Sequence, residues 1–322
     1  MADAALLRQI CQRLPGWLPP PLGQPEADPP SGLPWPAFRD AVYAHCVTPL
    51  VAEGLAGVPG VDPLLTSWLD FHRQQNRLRL ERLRRELVAV LCATEDLPLI
   101  PLKGPVLAEL YYPDPLLRPT NDLDLLLPRE HFPEATRRFA ALGYHHVFSG
   151  WKHDKFEHHS CRRVIEETFE HRDNPRNLEL HPRCREKVDA EIFDLTERLY
   201  ASATRRTVLG EQVLVPAAGE VWLYLLLHAT HHILLNNFRL LHLVDLALVT
   251  PAVEDPPALL AALDARVTYA PLLLLDRTFP GLGAGPWIAG VRKHLAPSFA
   301  QWAEGLDLYS ASYLHPTPWR VD

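Results

Sequence analysis

The sequence contains no run of about 20 apolar residues, the length that a membrane-spanning helix needs. Its most apolar window, VWLYLLLHAT, is followed by further histidines well short of that length. The N-terminal stretch MADAALLRQICQRLPGW lacks the basic start and apolar core of a secretory signal. These absences predict a soluble, cytoplasmic protein with no membrane partner.

Positive charge is also scarce. The 32 Lys and Arg residues are outnumbered by 39 Asp and Glu, which gives a net charge of −7, so no global basic field favours nucleic acid or an anionic membrane. The cysteines form no C-x-x-C pair and are odd in number, which indicates reduced thiols rather than a disulfide framework or a zinc ribbon. They are Cys11, Cys46, Cys92, Cys161 and Cys184.

What the chain does have is enough apolar sequence to bury a large core: 322 residues, 47% of them hydrophobic. Proline and glycine are dense between residues 14 and 36, which predicts an irregular surface loop. Composition and periodicity divide the chain into three regions. They are a helical region with the Pro-rich loop (1–91), an α/β unit (92–215) and a helical domain (216–322).

The central region alternates strand and helix patterns, which predicts a compact α/β unit with a mixed sheet. A short strand precedes a helix that begins at Pro105, and an amphipathic helix ends at Gly143. The predicted strands are LPLIPLKG, DLDLLLP, YHHVFS, FEHHSC, VIEETFEH and NLELH, followed by a closing hairpin, VLGEQVLVP. Ahead of this unit, leucines at steps of three and four residues predict a long helix; these are Leu80, Leu83, Leu87 and Leu91.

The strand DLDLLLP carries two acids at its start, Asp122 and Asp124. Strand residues two apart point to the same side, so the two carboxylates lie close together and repel unless a cation lies between them. Mg²⁺ prefers such oxygen ligands. Glu179, between two leucines of another strand, is the best third carboxylate. The competing acids on the neighbouring predicted strand are Glu166, Glu167 and Glu170.

A phosphate cradle is predicted just upstream of these acids. Lys103 supplies a positive charge, and Gly104 allows close backbone approach where a helix begins. Arg118 and Asn121 are either ordinary turn residues or nucleotide contacts, and Arg118 would then pair with an aspartate or a phosphate.

The order strand, Lys-Gly, helix, Arg, Asn-Asp-Leu-Asp, apolar strand, helix, and strand with Glu-Leu-His resembles the nucleotidyltransferase superfamily of DNA polymerase beta type. More narrowly, it resembles the bacterial uncharacterised nucleotidyltransferase family, in which Lys-Gly stands where most relatives have Gly-Ser. The match runs from about residue 99 to residue 182, and the segments LLHATHH and FRLLHLVDLAL are similar to that family's C-terminal part. The resemblance implies an α+β fold with a polymerase-beta-like core, flanked by N- and C-terminal helical segments.

The resemblance also implies an activity. A nucleoside monophosphate would pass from an NTP such as ATP to an acceptor hydroxyl, with pyrophosphate release and Mg²⁺ or Mn²⁺ as cofactor. Asp122 and Asp124 would bind the metal, Glu179 would be the third carboxylate and activate the acceptor, and Lys103 and Gly104 would contact the triphosphate. The acceptor, whether small molecule, peptide, protein or RNA, stays open. The alternative is a catalytically degenerate nucleotide-binding regulator of antitoxin-like type.

Histidines and arginines offer further candidates. His181 lies two residues after Glu179 on the same face and is a candidate partner of it or part of an acceptor pocket. His228 and His232 are a polar seam between helices or part of an acceptor pocket; with His231 and Asp245 they could instead serve a metal-dependent phosphohydrolase. A transition-metal site is conceivable among the histidines of the strand region, although surface strands expose such residues routinely: His145, His146, His153, His158, His159, His171 and His181. An arginine stripe is either solvated or contacts a polyanionic acceptor: Arg77, Arg82, Arg84 and Arg85.

Overall fold

The computed structural model describes residues 3–23, 30, 32–160 and 170–315. The helices are α1 Ala4–Arg13, α2 Trp35–Ala44, α3 Thr48–Gly54, α4 Pro63–Ala93, α5 Pro105–Tyr111, α6 Phe132–Ala141, α7 Thr196–Ser202, α8 Ala218–Leu234, α9 Leu240–Val249, α10 Pro256–Ala261, α11 Ala265–Thr278, α12 Gly285–Arg292 and α13 Pro297–Glu304. The strands are β1 Ile100–Pro101, β2 Asp122–Leu126, β3 Tyr144–Ser149, β4 Asp154–His158, β5 Asn177–His181, β6 Arg185–Val188, β7 Glu191–Asp194, β8 Thr204–Val208 and β9 Glu211–Val215.

The chain forms two compact units, each built from non-consecutive segments. The α/β unit comprises Asp70–Arg185 and Asp194–Ala217. The helical unit comprises Met1–Leu69, Glu186–Phe193 and Ala218–Asp322. The three consecutive regions 1–91, 92–215 and 216–322 therefore do not coincide with these units, and as domains they stay a prediction.

The α/β unit contains a five-stranded sheet in the order β1-β2-β5-β4-β3. Strands β2 and β5 are parallel, whereas β1 pairs with β2, β4 with β5 and β3 with β4 in antiparallel fashion. The sheet is therefore mixed, and together with the many helices it confirms the predicted α+β class. A separate antiparallel hairpin, β8–β9, is the predicted closing hairpin.

The core of the α/β unit forms where the leucine face of α4 packs with residues of the sheet. Leu83 and Leu87 of α4 are fully or almost fully buried in one cluster with Leu125 of β2 and Leu180 of β5. Burying each such side chain contributes about 1.5–3 kcal/mol. The leucines at alternate positions of β2 and β5 thereby anchor both strands, and the acids between them take the other face.

The predicted strand FEHHSC is placed differently. FEHHSC begins two residues earlier, as β4, because β4 pairs with β3 and β5 at once, with His158 opposite Tyr144 and Asp154 opposite Leu180. Ser160 lies in the following turn, and Cys161 lies outside the described residues. Most of VIEETFEH, with Glu166 and Glu167, also lies outside them; Glu170, which is described, lies outside the strands.

The helical unit buries α8 almost entirely, which explains its continuous apolar sequence: Trp222, Leu223 and Leu226 are fully buried. Across the part of the chain that the structure describes, none of the helices combines the length and the apolar character needed to span a membrane.

Candidate active site

Three carboxylates meet on one face of the sheet because β2 and β5 are parallel neighbours. In their register Asp122 is opposite Asn177 and Asp124 is opposite Glu179. Asp122 lies two residues before Asp124, so both side chains project from the same side of β2. The strand pairing thus brings together the acids that the sequence singled out.

Asp124 is the buried centre of this group, with 3% of its surface exposed. Its Oδ2 lies 3.1 Å from Lys103 Nζ, and its Oδ1 lies 3.0 Å from His181 Nε2. Each oxygen therefore has a partner that favours the ionised carboxylate. His181, two residues after Glu179 on β5, is thus part of the site.

The three carboxyl groups differ in acidity. Burial alone would raise the pKa of Asp124, but Lys103 and His181 together hold it well below its usual range. Burial and the charge of Asp124 raise the pKa of Asp122 to about 6. Burial, followed by the charges of Asp124 and Asp122, raises the pKa of Glu179 to about 8. The site therefore keeps one fixed anion and two carboxyls that bind protons readily.

Lys103 remains charged in this setting. Burial on its own would lower the pKa of its ammonium group, but the neighbouring Asp124 and Asp122 raise it above its usual range. The group is a permanent cation beside the carboxylates, at the position where the resemblance implies a triphosphate contact.

His153, directly before β4, also reaches the site. Its Nδ1 lies 3.5 Å from Glu179 Oε2, and its ring centroid lies 5.1 Å from that of His181. Burial and then the charge of His181 lower the pKa of His153 to about 4, so the ring is neutral near pH 7. Ring nitrogens of His153 and His181 and an oxygen of Glu179 lie within 4.8 Å of one another, a group that can bind a metal ion. No sequence signal distinguishes His153 from the other histidines of the strand region.

The loop between β1 and α5 requires glycine at position 104. Gly104 has φ +71°, a conformation that other residues rarely adopt. A Cβ there would lie 3.3 Å from Thr120 Cγ2 and 3.5 Å from the Asp122 carbonyl oxygen. The Leu102 amide donates to the Asp124 carbonyl over 3.0 Å. The Lys103–Gly104 loop is therefore held directly against β2.

Arg118 and Asn121 lie in the turn before β2. The guanidinium of Arg118 is buried and donates to Thr120 Oγ1 over 3.0 Å and to the Pro119 carbonyl over 3.4 Å. The Asn121 carbonyl accepts from Arg79. Both residues shape the turn that leads into the acids, and contact with nucleotide stays a prediction for them.

Sequence reasoning missed Arg79, which is fully buried in α4. Its guanidinium donates to four backbone carbonyls in the segments that lead into β2 and β5. The acceptors are Thr120 (3.1 Å), Asn121 (2.8 Å), Asn174 (2.8 Å) and Pro175 (2.6 Å). A signal existed: Arg79 lies four and eight residues before Leu83 and Leu87 and so shares their apolar face, whereas the stripe at Arg77, Arg82, Arg84 and Arg85 does not.

The competing acid Glu170 is engaged elsewhere. Its Oε2 lies 3.2 Å from His72 Nδ1, and both side chains are almost fully buried. Glu166 and Glu167, the other two acids that compete with Glu179, lie outside the described residues. Glu179 is thus the acid that the structure places beside Asp124.

The other histidine candidates lie in the helical unit. His228 and His232 are on α8, where they form a group with His242 of α9. Asp245 is buried on α9. A role of His181, His228 and His232 in an acceptor pocket stays a prediction.

Comparison with known proteins gives a family match. A family model described as an uncharacterised nucleotidyltransferase matches residues 31–268, about three quarters of the chain. A search of curated proteins found no match.

Solved structures that are similar to parts of the chain include two of ANT(2'')-Ia. The solution structure of the antibiotic-resistance factor ANT(2'')-Ia is 13% identical with a TM-score of 0.38, over 66% of this chain and 98% of that one. The crystal structure of ANT(2'')-Ia in complex with adenylyl-2''-tobramycin is 15% identical with a TM-score of 0.37, over 54% of this chain and 90% of that one.

Proposed function

Because the chain belongs to the uncharacterised nucleotidyltransferase family, and is thus a transferase enzyme, we propose that it moves a nucleoside monophosphate from an NTP to an acceptor hydroxyl and releases pyrophosphate. The acceptor oxygen would form a bond to the α-phosphorus, and the bond between that phosphorus and the bridging oxygen of the β-phosphate would break. The acceptor proton would pass to a carboxylate of the enzyme.

One observation carries this proposal: the parallel register that sets Asp124 opposite Glu179, with Asp122 on the same face. Three acids so close are costly in a purely structural role, because like charges repel and burial penalises each of them. The raised pKa values of Asp122 and Glu179 express that conflict. A site for a cation and a polyphosphate resolves it.

The donor set fits Mg²⁺ or Mn²⁺. Asp122, Asp124 and Glu179 offer oxygen ligands, which hard divalent cations prefer, and such cations usually take one or two protein carboxylates together with substrate phosphates. When bound, the metal would neutralise charge on the phosphates and on the attacking and leaving oxygens. We propose that these three residues hold it.

The remaining residues would bind and orient the NTP and move the proton. Lys103, a permanent cation, would pair with the triphosphate, and Gly104 would let the backbone approach it. His181 and Lys103 keep Asp124 ionised and fixed in position. Burial, followed by the charges of Asp124 and Asp122, raises the pKa of Glu179 to about 8 in the metal-free site, so Glu179 would accept the acceptor proton once a bound cation has lowered that pKa.

The experiment is to incubate the purified protein with Mg²⁺, each α-labelled NTP in turn, and fractions of cell extract that separate small molecules, proteins and RNA. Labelled acceptor together with released pyrophosphate is the expected result. Asp122→Asn and Asp124→Asn should each abolish labelling, whereas Asp96→Asn, at an exposed aspartate paired with Arg138, is the matched control.

Two outcomes would contradict the proposal. Labelling that persists in both variants would show that the acids are not the site. NTP binding with no labelled product in any fraction, and no pyrophosphate, would favour the nucleotide-binding regulator instead.

A further inference from the structure

A second group of histidines lies in the helical unit, whereas the residues proposed to hold the metal and the NTP lie in the α/β unit. His228 and His232 occupy successive turns of α8, and His242 lies in the first turn of α9. One ring nitrogen of each lies within 4.8 Å of those of the other two. The ring centroids are 4.4 Å (His228–His232), 4.7 Å (His232–His242) and 5.4 Å (His228–His242) apart.

A buried carboxylate orients the first of these histidines. Glu186 is 1% exposed, and its Oε1 lies 3.1 Å from His228 Nδ1. An ionised carboxylate only accepts hydrogen bonds, so His228 Nδ1 donates and Nε2 keeps its lone pair. A carboxylate that fixes the tautomer of a histidine in this way is the usual partner of a metal-binding imidazole.

We propose that His228, His232 and His242 form a binding site for a transition-metal cation of the Zn²⁺ or Co²⁺ type. Imidazole nitrogens suit these metals, whereas Mg²⁺ prefers the oxygen ligands of the carboxylate site. Zn–N bonds of about 2.1 Å at tetrahedral angles place ligand atoms about 3.4 Å apart, so small rotations of the side chains complete the site. Three protein ligands leave a fourth position for water or another ligand.

Two contacts of nearby residues bear on metal binding at this site. The Arg239 amide donates to His242 Nδ1 over 3.2 Å. A metal bound at Nδ1 would replace this hydrogen bond, and a metal bound at Nε2 would move the ring proton to Nδ1 and break it. His231 is adjacent in sequence but committed elsewhere: its Nδ1 is 2.9 Å from the Lys187 carbonyl and its Nε2 is 3.5 Å from Glu186 Oε2. His231 is therefore a matched control for His232.

The test is a Co²⁺ titration of the full-length protein after chelator treatment, followed by visible ligand-field absorption and by metal analysis. His153→Ala serves as the parent, because it removes a ligand from the histidine group of the α/β unit. We expect one tightly bound Co²⁺ with ligand-field bands in the parent, displaced by Zn²⁺. His232→Ala should weaken binding by at least about tenfold and lose the bands; Glu186→Gln should weaken it about tenfold, and His231→Ala by less than about twofold.

Thermal unfolding without metal is the control for correct folding of each variant. If His232→Ala melts below the parent, His232→Gln, which keeps a polar side chain of similar length, takes its place. Zn²⁺ should raise the melting temperature of the parent and leave that of the His232 variant unchanged. Absence of ligand-field bands in the parent would overturn the proposal, and so would equal losses in the His231 and His232 variants.

Discussion

Replacing Arg79 with lysine tests whether the shape of the guanidinium, and not only its positive charge, holds the segments that lead into β2 and β5. The arginine is fully buried, and its planar guanidinium spans two backbone segments, residues 120–121 and 174–175. Those segments lead directly into the strands that carry Asp122, Asp124 and Glu179. Lysine keeps the charge but carries its N–H groups on one nitrogen, so it cannot span both segments as the guanidinium does.

The size of the effect follows from the carbonyls that lysine would leave unpaired. If the ammonium group satisfies two of the four acceptors, two remain without a donor. A buried unpaired carbonyl costs about 1–3 kcal/mol, so we expect Arg79→Lys to lower the free energy of unfolding by about 2–6 kcal/mol. The contacts to Thr120 and Asn174 are the more deeply buried, so their loss matters most.

The assay has two readouts. Urea unfolding followed by far-UV circular dichroism gives stability, and calorimetry with Mg²⁺ and a non-hydrolysable NTP analogue gives nucleotide affinity under conditions where the variant is folded. Arg82→Lys is the matched control: Arg82 lies one turn further along α4 and contacts the Arg172 carbonyl and Asp173 on the surface. It should change stability by less than about 1 kcal/mol and leave nucleotide affinity unchanged.

The positioning role predicts that Arg79→Lys also weakens nucleotide binding, because the acids shift when the two segments loosen. Equal stability of the two variants would refute the hydrogen-bond argument. Loss of stability with unchanged nucleotide affinity would show that Arg79 supports the fold without positioning the carboxylates.

Three further predictions concern the site itself. Because the folded-state pKa of Glu179 is raised from 4.5 to about 8, metal-free protein should lose stability as the pH rises through that interval; Glu179→Gln should flatten this loss in urea unfolding between about pH 5 and about pH 9, and parallel curves would contradict it. Gly104→Ala and Gly57→Ala both place an alanine at a position with positive φ, and each should lower the free energy of unfolding by about 1 kcal/mol. Only Gly104→Ala, which crowds Thr120 and β2, should also reduce nucleotide affinity in calorimetry. Lys103→Met should weaken NTP binding at least about tenfold in calorimetry, with partial recovery in Lys103→Arg; full affinity in the methionine variant would exclude a phosphate contact.

Local pattern predicted much of the fold and of the carboxylate group. The two-residue period of a strand was enough to place Asp122 and Asp124 on one side, and the leucines flanking Glu179 indicated its strand. The observed β3 and β5 coincide with the predicted YHHVFS and NLELH. These features depend on residues close together in sequence, where the periodicity of the backbone acts directly.

Other features depend on pairing between distant segments, which local pattern does not determine. The start of β4 is set by simultaneous pairing with β3 and β5, so the prediction for this strand was shifted by two residues. The same pairing brings His153 next to Glu179. Arg79 was missed for a related reason: its partners are backbone carbonyls about 40 and 95 residues away, and carbonyls leave no signature in a sequence.

The distribution of charge in the site supports different duties for its acids. Asp124 has a cationic or hydrogen-bonding partner on each oxygen, so its charge is balanced by Lys103 and His181 and it is well suited to act as a fixed ligand. Asp122 and Glu179 carry the unbalanced charge, which is why their pKa values are raised. A divalent cation bound near Asp122 and Asp124 would balance the charge of Asp122. The same cation would lower the pKa of Glu179. Glu179 would then release its proton and become able to accept one from the acceptor hydroxyl, so metal binding and activation of the base would be linked through the same electrostatic interaction.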